Sequence, residues 1–238
     1  MRFMTFNTQH CLNYITKKID LDIMAKTILD CGADVVGLNE MRGLGTDVEY
    51  TAQVEKLASL TGMKYYFAKA IDVKGKGPYG NGVLSKKPIL RAQTVMIPDP
   101  KVKKEGMRYE TRCVLKAKIE GGITVLVTHM GLNSDERRNA VETVINHMAE
   151  KKCVLMGDFN MEPSDPILFS VYDAMQDTAT AFDAVKLSFP SDVPRVKIDY
   201  IFVSRDGNIL SADIPAIVAS DHRKLRLFCY IVVHFCSI

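Results

Sequence analysis

Val154-Leu155-Met156-Gly157-Asp158-Phe159-Asn160 joins three consecutive apolar residues to a glycine, a carboxylate and a carboxamide. A buried strand that ends in this way aims Asp158 and Asn160 into the cleft beyond a sheet edge, where loops carry chemistry on a rigid base. Four companions stand at other strand-like ends. Asn7 follows the run 2–6, Glu40 follows Val35 to Leu38, His129 follows Val125 to Thr128, and Ser220-Asp221-His222 lies near the C-terminus. Together they supply hard oxygen ligands and two imidazoles, the set required for metal-assisted cleavage of a phosphate ester.

Working outward, residues 2–7 and 34–39 read as buried strands around a helical pattern at 21–29, which stops at Gly32 as a C′ glycine. A second helix over about 48–61 stops at Gly62. Strands follow at 64–70, 81–85, 89–97, 109–119 and 123–129. A helix at 135–149, with Ser134 or Asp135 as N-cap, precedes a strand at 152–156. Some helix over 163–175 and strands near 198–203, 209–218 and 225–234 complete the chain. Runs of strands between helical units predict mixed rather than uniformly parallel sheets.

The 238 residues are 47% hydrophobic, enough for a sizeable core. The candidate residues run from Asn7 to His222 with no linker-like stretch between, so one domain over 1–238 is expected. There is no run of 18 apolar residues and no basic segment ahead of an apolar one at the start, so neither a membrane span nor a signal peptide is read. Six cysteines are scattered without a CxxC pair, which fits reduced thiols and a cytoplasmic location.

The ordered set Thr5-Phe6-Asn7, Asn39-Glu40, Thr128-His129, Gly157-Asp158-Phe159-Asn160, Ile198-Asp199-Tyr200-Ile201-Phe202 and Ser220-Asp221-His222 resembles the endonuclease/exonuclease/phosphatase superfamily of metal-dependent hydrolases. That group includes pancreatic-type deoxyribonucleases, abasic-site endonucleases, neutral sphingomyelinases and inositol polyphosphate 5-phosphatases. The resemblance covers residues 1 to about 224, and Tyr79 to Ser85, Glu110-Thr111-Arg112 and Ser188-Phe189-Pro190 are most similar to its compact bacterial members. It implies a deoxyribonuclease-like four-layer α/β sandwich, two packed mixed β-sheets flanked by helices. One departure is visible. Family members commonly carry a proline shortly after Ser-Asp-His, and here Arg223-Lys224 stands instead.

The expected chemistry is hydrolysis of a phosphodiester or phosphomonoester with Mg²⁺ or Mn²⁺, which prefer carboxylate, carboxamide and water oxygens. Glu40 is the first expected metal ligand, with Asn7 beside it as ligand or positioner and Asp221 as a third. His222 is placed at the reacting centre with Asp199 as partner to its other ring nitrogen. Whether His222 takes a proton from water or stabilises phosphate charge stays open. Through the resemblance, Asp158 is assigned to activating water and Asn160 to a phosphoryl oxygen. His129 meets the phosphate from the other side. Asn81 is read as an orienter of His129, and Arg112 as a phosphate contact through its fork of donors.

Residues 69–118 hold ten Lys and three Arg against four acidic residues, a local excess of +9 in a chain whose total is +3. Such a segment attracts an anionic substrate, with Lys103 and Lys104 as its most prominent pair, or else forms a solvated surface. A nucleic acid is compatible with it, although Trp is absent. Two rivals stand beside the hydrolase: a phosphate-binding module that has lost turnover, and a structural protein whose polar residues cap strands. The partner expected is a phosphoester substrate, and the state expected is a monomer.

Overall fold

The computed structural model describes residues 1–182 and 186–231. In chain order the elements are β1 (Arg2–Asn7), α1 (Leu21–Asp30), β2 (Val35–Arg42), α2 (Gln53–Thr61), β3 (Lys64–Val73), β4 (Gly77–Ser85), β5 (Ile89–Met96), β6 (Cys113–Ile119) and β7 (Ile123–His129). They continue with α3 (Ser134–His147), β8 (Cys153–Asp158), α4 (Phe169–Ala174), β9 (Met175–Asp177), β10 (Asp199–Ser204), β11 (Gly207–Asp213) and β12 (Leu225–Ile231).

Two six-stranded sheets result, ordered β11-β12-β1-β2-β4-β3 and β5-β6-β7-β8-β10-β9. Each has one parallel pair at its centre, β1 with β2 and β7 with β8, and antiparallel neighbours elsewhere. The connection inside each parallel pair runs through a helix, α1 in the first and α3 in the second, as a parallel crossover requires. Strands at the centre of both sheets are buried on both faces, which explains the near-continuous apolar runs of β7 and β8.

The inner faces meet in one apolar cluster that includes Phe3, Val35 and Val83 from the first sheet and Leu115, Val127, Met156 and Ile201 from the second. Gly37 marks their close approach, since a Cβ there would stand 2.7 Å from the sulfur of Met156. Outside the first sheet, α1 and α2 bury Met24, Ile28, Val54 and Leu57. Outside the second, α3 and α4 bury Ala140, Val144 and Val171 against Leu126, Leu155 and Phe202. The order is helices, sheet, sheet, helices, the expected four-layer α/β sandwich.

Gly32 and Gly62 do end their helices at positive φ, +63° and +68°. Other boundaries moved for local reasons. The second helix starts at Gln53 rather than 48, where the buried Gln53 amide accepts from the Arg42 N–H and donates to the His10 carbonyl. The cap of α3 is Asn133, whose backbone N–H donates to Glu136, so neither Ser134 nor Asp135 holds that place. The strand predicted from 109 begins at Cys113, because the Glu110 N–H turns to the Glu136 carboxylate. The three-residue β9 escaped the periodicity altogether. The last strand is seen to Ile231, and Val233, His234 and Cys236 lie outside the described residues.

Candidate active site

Four of the proposed residues leave the sheets at the carboxyl ends of the two parallel pairs. Asn7 ends β1, and Glu40 sits in a bulge of β2 where the register with β4 shifts between Leu38 and Met41. His129 ends β7 and Asp158 ends β8, directly paired in register. Asp199 opens β10 opposite Asp158, and the segment between β11 and β12 returns Asp221 and His222 to the same place. The sheets therefore carry the site at one common end, and all these residues except Asp221 and Glu40 are buried.

Two backbone features aim the carboxylates. Gly157 has φ +148°, and a Cβ there would stand 1.8 Å from the Thr128 carbonyl oxygen, so only glycine passes the neighbouring strand at this point. Glu40 and Asn160 adopt φ +61° and +52°, conformations that cost non-glycine residues about 1–3 kcal/mol. Strain held at both positions points to a requirement on where their side chains go.

Buried carboxamides fasten the sheets beneath the site. Asn39 Oδ1 accepts the Asp158 N–H at 3.0 Å, and its Nδ2 donates to Asn81 Oδ1 and to the Thr128 carbonyl, both at 2.9 Å. Asn81 in turn donates to the Cys113 carbonyl at 3.0 Å. The Asn81 amide is thus committed to the frame and does not orient His129. Its neighbour Asn39, quoted in a motif but given no role by sequence reasoning, is the central fastener.

Above this floor the groups converge on one atom. Asp158 Oδ2 accepts from Asn7 Nδ2 at 3.0 Å and lies 3.6 Å from Nε2 of both His129 and His222. Asn7 Nδ2 also donates to Glu40 Oε1 at 3.1 Å, while its Oδ1 accepts the Gln9 N–H. Asp158 Oδ1 accepts the Asn160 N–H at 2.9 Å, and Asn160 Nδ2 donates to the Met130 carbonyl.

The two imidazoles differ in their far partners. His222 Nδ1 meets Asp199 Oδ2 at 3.0 Å, whereas His129 Nδ1 meets Arg112 Nη1 at 3.0 Å. Burial alone disfavours an imidazolium at His222, but Asp199 and Asp158 outweigh it and raise the pKa to about 10. Burial, then the charges of Arg112 and His222, hold His129 well below the ordinary histidine range. Burial also raises Asp158, to about 6, with Asp199 adding to the effect and His222 opposing it. The ring of Phe189 packs on His222 at 4.7 Å between centroids, and Ser188 Oγ accepts the Asp199 N–H.

The Arg223-Lys224 pair that replaces the usual proline has work in the same region. Arg223 Nε donates to the Ser191 carbonyl at 2.7 Å, and the fully buried Lys224 donates through Nζ to the Ile217 carbonyl at 3.0 Å. Both tie down the ends of the segment that carries Asp221-His222.

The resulting cleft has a volume of about 300 Å³. Glu40, His129, Asp158, Asn160, Asp221 and His222 line it, joined by Tyr79, Arg108, Glu110 and Phe189, which sequence reasoning did not single out for the site. Tyr79, Glu110 and Phe189 stood inside quoted motifs, and only the fold shows that they share a cavity. From the basic segment the cleft takes Arg108 and Arg112, while Lys103 pairs with Asp99 at 3.1 Å and neither it nor Lys104 reaches the lining.

The family model for the Endonuclease/Exonuclease/phosphatase family matches residues 4–222. The chain belongs to the endonuclease/exonuclease/phosphatase family. Solved family structures are similar over almost the whole chain. An endonuclease/exonuclease/phosphatase from Bacteroides vulgatus is 20% identical with a TM-score of 0.76, covering 97% of this chain and 98% of its own. A mannosyl-6-phosphatase of Bacteroides thetaiotaomicron is 17% identical with a TM-score of 0.77, covering 97% and 99%. The 3′ phosphatase NExo from Neisseria, bound to a product DNA hairpin, is 14% identical with a TM-score of 0.69, covering 96% and 98%. No functionally curated protein sequence matches the chain.

For a family whose resemblance implied a divalent cation, the donor set can be tested here. Ligand atoms of Asp158, Asp199 and His222 lie within 4.8 Å of one another, close enough for an ion. In that trio His222 Nδ1 is already hydrogen-bonded to Asp199 Oδ2 at 3.0 Å, and Asp158 Oδ2 accepts from Asn7 Nδ2. Glu40 and Asp221 present carboxylate oxygens on the cleft wall, and Asn7 positions Glu40 through Nδ2 while its own Oδ1 is taken by the Gln9 N–H. Paired carboxylates of this kind suit a hard divalent cation.

Proposed function

We propose that this chain is a divalent-metal-dependent phosphoester hydrolase that directs water at an anionic phosphodiester or phosphomonoester. The observation that carries the reading is the convergence on Asp158 Oδ2 of an amide N–H and two imidazole nitrogens in one cleft. Strand-capping residues in a structural protein have no reason to converge on one buried carboxylate oxygen.

In this reading Glu40 and Asp221 would hold Mg²⁺ or Mn²⁺, with Asn7 positioning the Glu40 carboxylate. The bound cation supplies charge neutralisation at a phosphoryl oxygen, so that an anion accepts a nucleophile. Asp158 accepts the proton of the attacking water. Its carboxyl, raised by burial to about 6, is ionised at neutral pH yet more basic than an exposed aspartate, the compromise a general base needs. His222, charged and fixed by Asp199, meets negative charge developing on the phosphate. Asn160 lends its remaining amide N–H to a phosphoryl oxygen, and His129 donates from the opposite wall.

A cleft of about 300 Å³ suits a phosphate group and its immediate substituent rather than a long duplex footprint. The structurally similar mannosyl-6-phosphatase and the 3′ phosphatase bound to a product DNA hairpin are consistent with that scale. A DNA repair nuclease is the alternative within the family, and a non-catalytic phosphate-binding module is the alternative outside it. The site draws on both sheets, from Asn7 in β1 to His222 ahead of β12, which supports reading the chain as a single domain. Among the described residues five free, buried cysteines fit a reducing cytoplasmic setting, and no helix there is long and apolar enough to cross a membrane.

A screen of phosphomonoesters, phosphodiesters, abasic DNA and lipid phosphoesters with Mg²⁺ or Mn²⁺ tests the reading. Metal-dependent turnover that chelation abolishes is expected on at least one class. Substrate binding without turnover on any class would leave the binding module in its place.

A further inference from the structure

Asp158 is flanked by two buried histidines with opposite partners, a carboxylate behind one and a guanidinium behind the other. That asymmetry is unusual in its logic. A carboxylate accepts a ring N–H and supports an imidazolium, so His222 sits in the common arrangement. A guanidinium has five N–H donors, no acceptor, and cannot be deprotonated in proteins.

We infer that Arg112 is a positioning residue that locks His129 in the neutral tautomer with its proton on Nε2. The inference rests on the hydrolase reading for its catalytic meaning and on geometry for its content. Nη1 of Arg112 is hydrogen-bonded to Nδ1 of His129 at 3.0 Å and ion-paired with Glu110 Oε1 at 2.9 Å, which holds the guanidinium against the ring. Nδ1 must present a lone pair to receive the guanidinium N–H. A proton on Nδ1 would set N–H against N–H at hydrogen-bond distance inside a buried site. The single ring proton of neutral His129 therefore resides on Nε2, which faces Asp158 Oδ2 at 3.6 Å.

The support behind Arg112 is equally specific. Its side chain is 13% exposed, and Glu110, which fixes it, is itself anchored by its backbone N–H to Glu136 Oε1 at 3.0 Å. Glu136 is held in turn by the Asn133 N–H and side-chain amide at the start of α3. A chain of contacts thus runs from the helix start through Glu136, Glu110 and Arg112 to one ring nitrogen. Nη1 alone is committed to this task, shared between Glu110 and His129, while Nε is buried without a partner and the side chain still lines the cleft.

The consequence is a division of labour between the imidazoles. His222 is backed at Nδ1 by the Asp199 carboxylate. His129 brings a neutral N–H that donates a hydrogen bond to substrate and keeps its proton, since losing it would leave an imidazolate and gaining another is blocked by Arg112.

Long-range ¹H–¹⁵N correlation spectra of ¹⁵N-histidine-labelled protein at pH 7, assigned with His129→Gln, test this directly. The wild-type spectrum is expected to show His129 as the neutral Nε2–H tautomer. Arg112→Gln, which keeps an N–H donor, is expected to retain the His129 tautomer. Arg112→Glu, which offers an acceptor, is expected to move the proton to Nδ1 or to both nitrogens. A wild-type His129 carrying a proton on Nδ1 overturns the inference without recourse to any variant. An unchanged tautomer in folded Arg112→Glu overturns it as well. Turnover assays on the same samples separate the two readings: the stated tautomer without metal-dependent hydrolysis rejects the hydrolase, and hydrolysis with an Nδ1-protonated His129 rejects the lock.

Discussion

The side-chain oxygen of Asn39 accepts the backbone N–H of Asp158 at 3.0 Å, so a buried amide of one sheet fixes the carboxylate strand of the other. The same amide donates to Thr128 and Asn81, which makes it a junction of four strands.

Asn39→Ala removes three hydrogen bonds and leaves buried groups on Asp158, Thr128 and Asn81 without partners. Each such group costs about 1–3 kcal/mol. Urea unfolding is expected to show a loss of several kcal/mol, more than an ordinary surface substitution gives. A midpoint equal to that of the wild type would mean that the sheets are held together without this junction.

Glu40→Gln is expected to weaken Mg²⁺ or Mn²⁺ binding in a calorimetric titration, because it removes the hard anionic oxygen that Asn7 positions. Equal affinities in the two proteins would take Glu40 out of the ligand set and direct attention to Asp221.

Asp158→Asn and His222→Ala are each expected to lower kcat by about 10²-fold or more on a confirmed substrate, the scale for a positioned acid or base. Because the ionised Asp158 and the protonated His222 are both needed, kcat/KM is expected to fall below pH about 6 and above pH about 10. These limbs belong to the coupled group as a whole. A profile flat across both ranges would remove the pair from the rate.

The same pair leaves a mark on stability. His222 has its folded pKa raised from 6.5 to about 10, so its contribution is full below pH 6.5 and fades as pH rises through about 10. The difference in Tm between the wild type and His222→Asn is therefore expected to shrink between pH 7 and pH 10.5. A difference that stays constant would show that packing against Phe189, rather than charge, holds the ring.

Arg108, exposed on the cleft wall, is the cation of the basic segment best placed to meet an anionic substrate. Arg108→Glu is expected to raise KM at low salt and to do so less at high salt. Charge reversal at Lys103 and Lys104 is expected to leave KM nearly unaltered, since Lys103 is paired with Asp99 away from the cleft. A large effect from the lysines instead would place substrate over the outer loop.

What the chain betrays beforehand follows from how locally each feature is encoded. The strand ends at Asn7, His129 and Asp158 are legible because an apolar run stops at a polar residue, and Gly32 and Gly62 because a positive φ selects for glycine. Motif order then brought Glu40, Asp199 and His222 into view. The partner of His129 was not legible, because choosing Arg112 over Asn81 depends on the contact between sheets and on the turn of residues 109–112 out of the strand. The role of Asn39 was hidden for the same reason, since all three of its side-chain partners are distant in sequence. The +9 segment misled as a bulk quantity, because its charges are dispersed around the fold and only two of its cations line the cleft, beside the acidic Glu110.

The seam between the sheets has a bearing on folding. Asn7 and Glu40 belong to the first sheet, while His129, Asp158 and Asp199 belong to the second. Half a sandwich would carry secondary structure and an apolar face, but it would own only part of the constellation. During refolding, circular dichroism should recover ahead of metal affinity, and the lag between them times the moment at which the two halves close on each other.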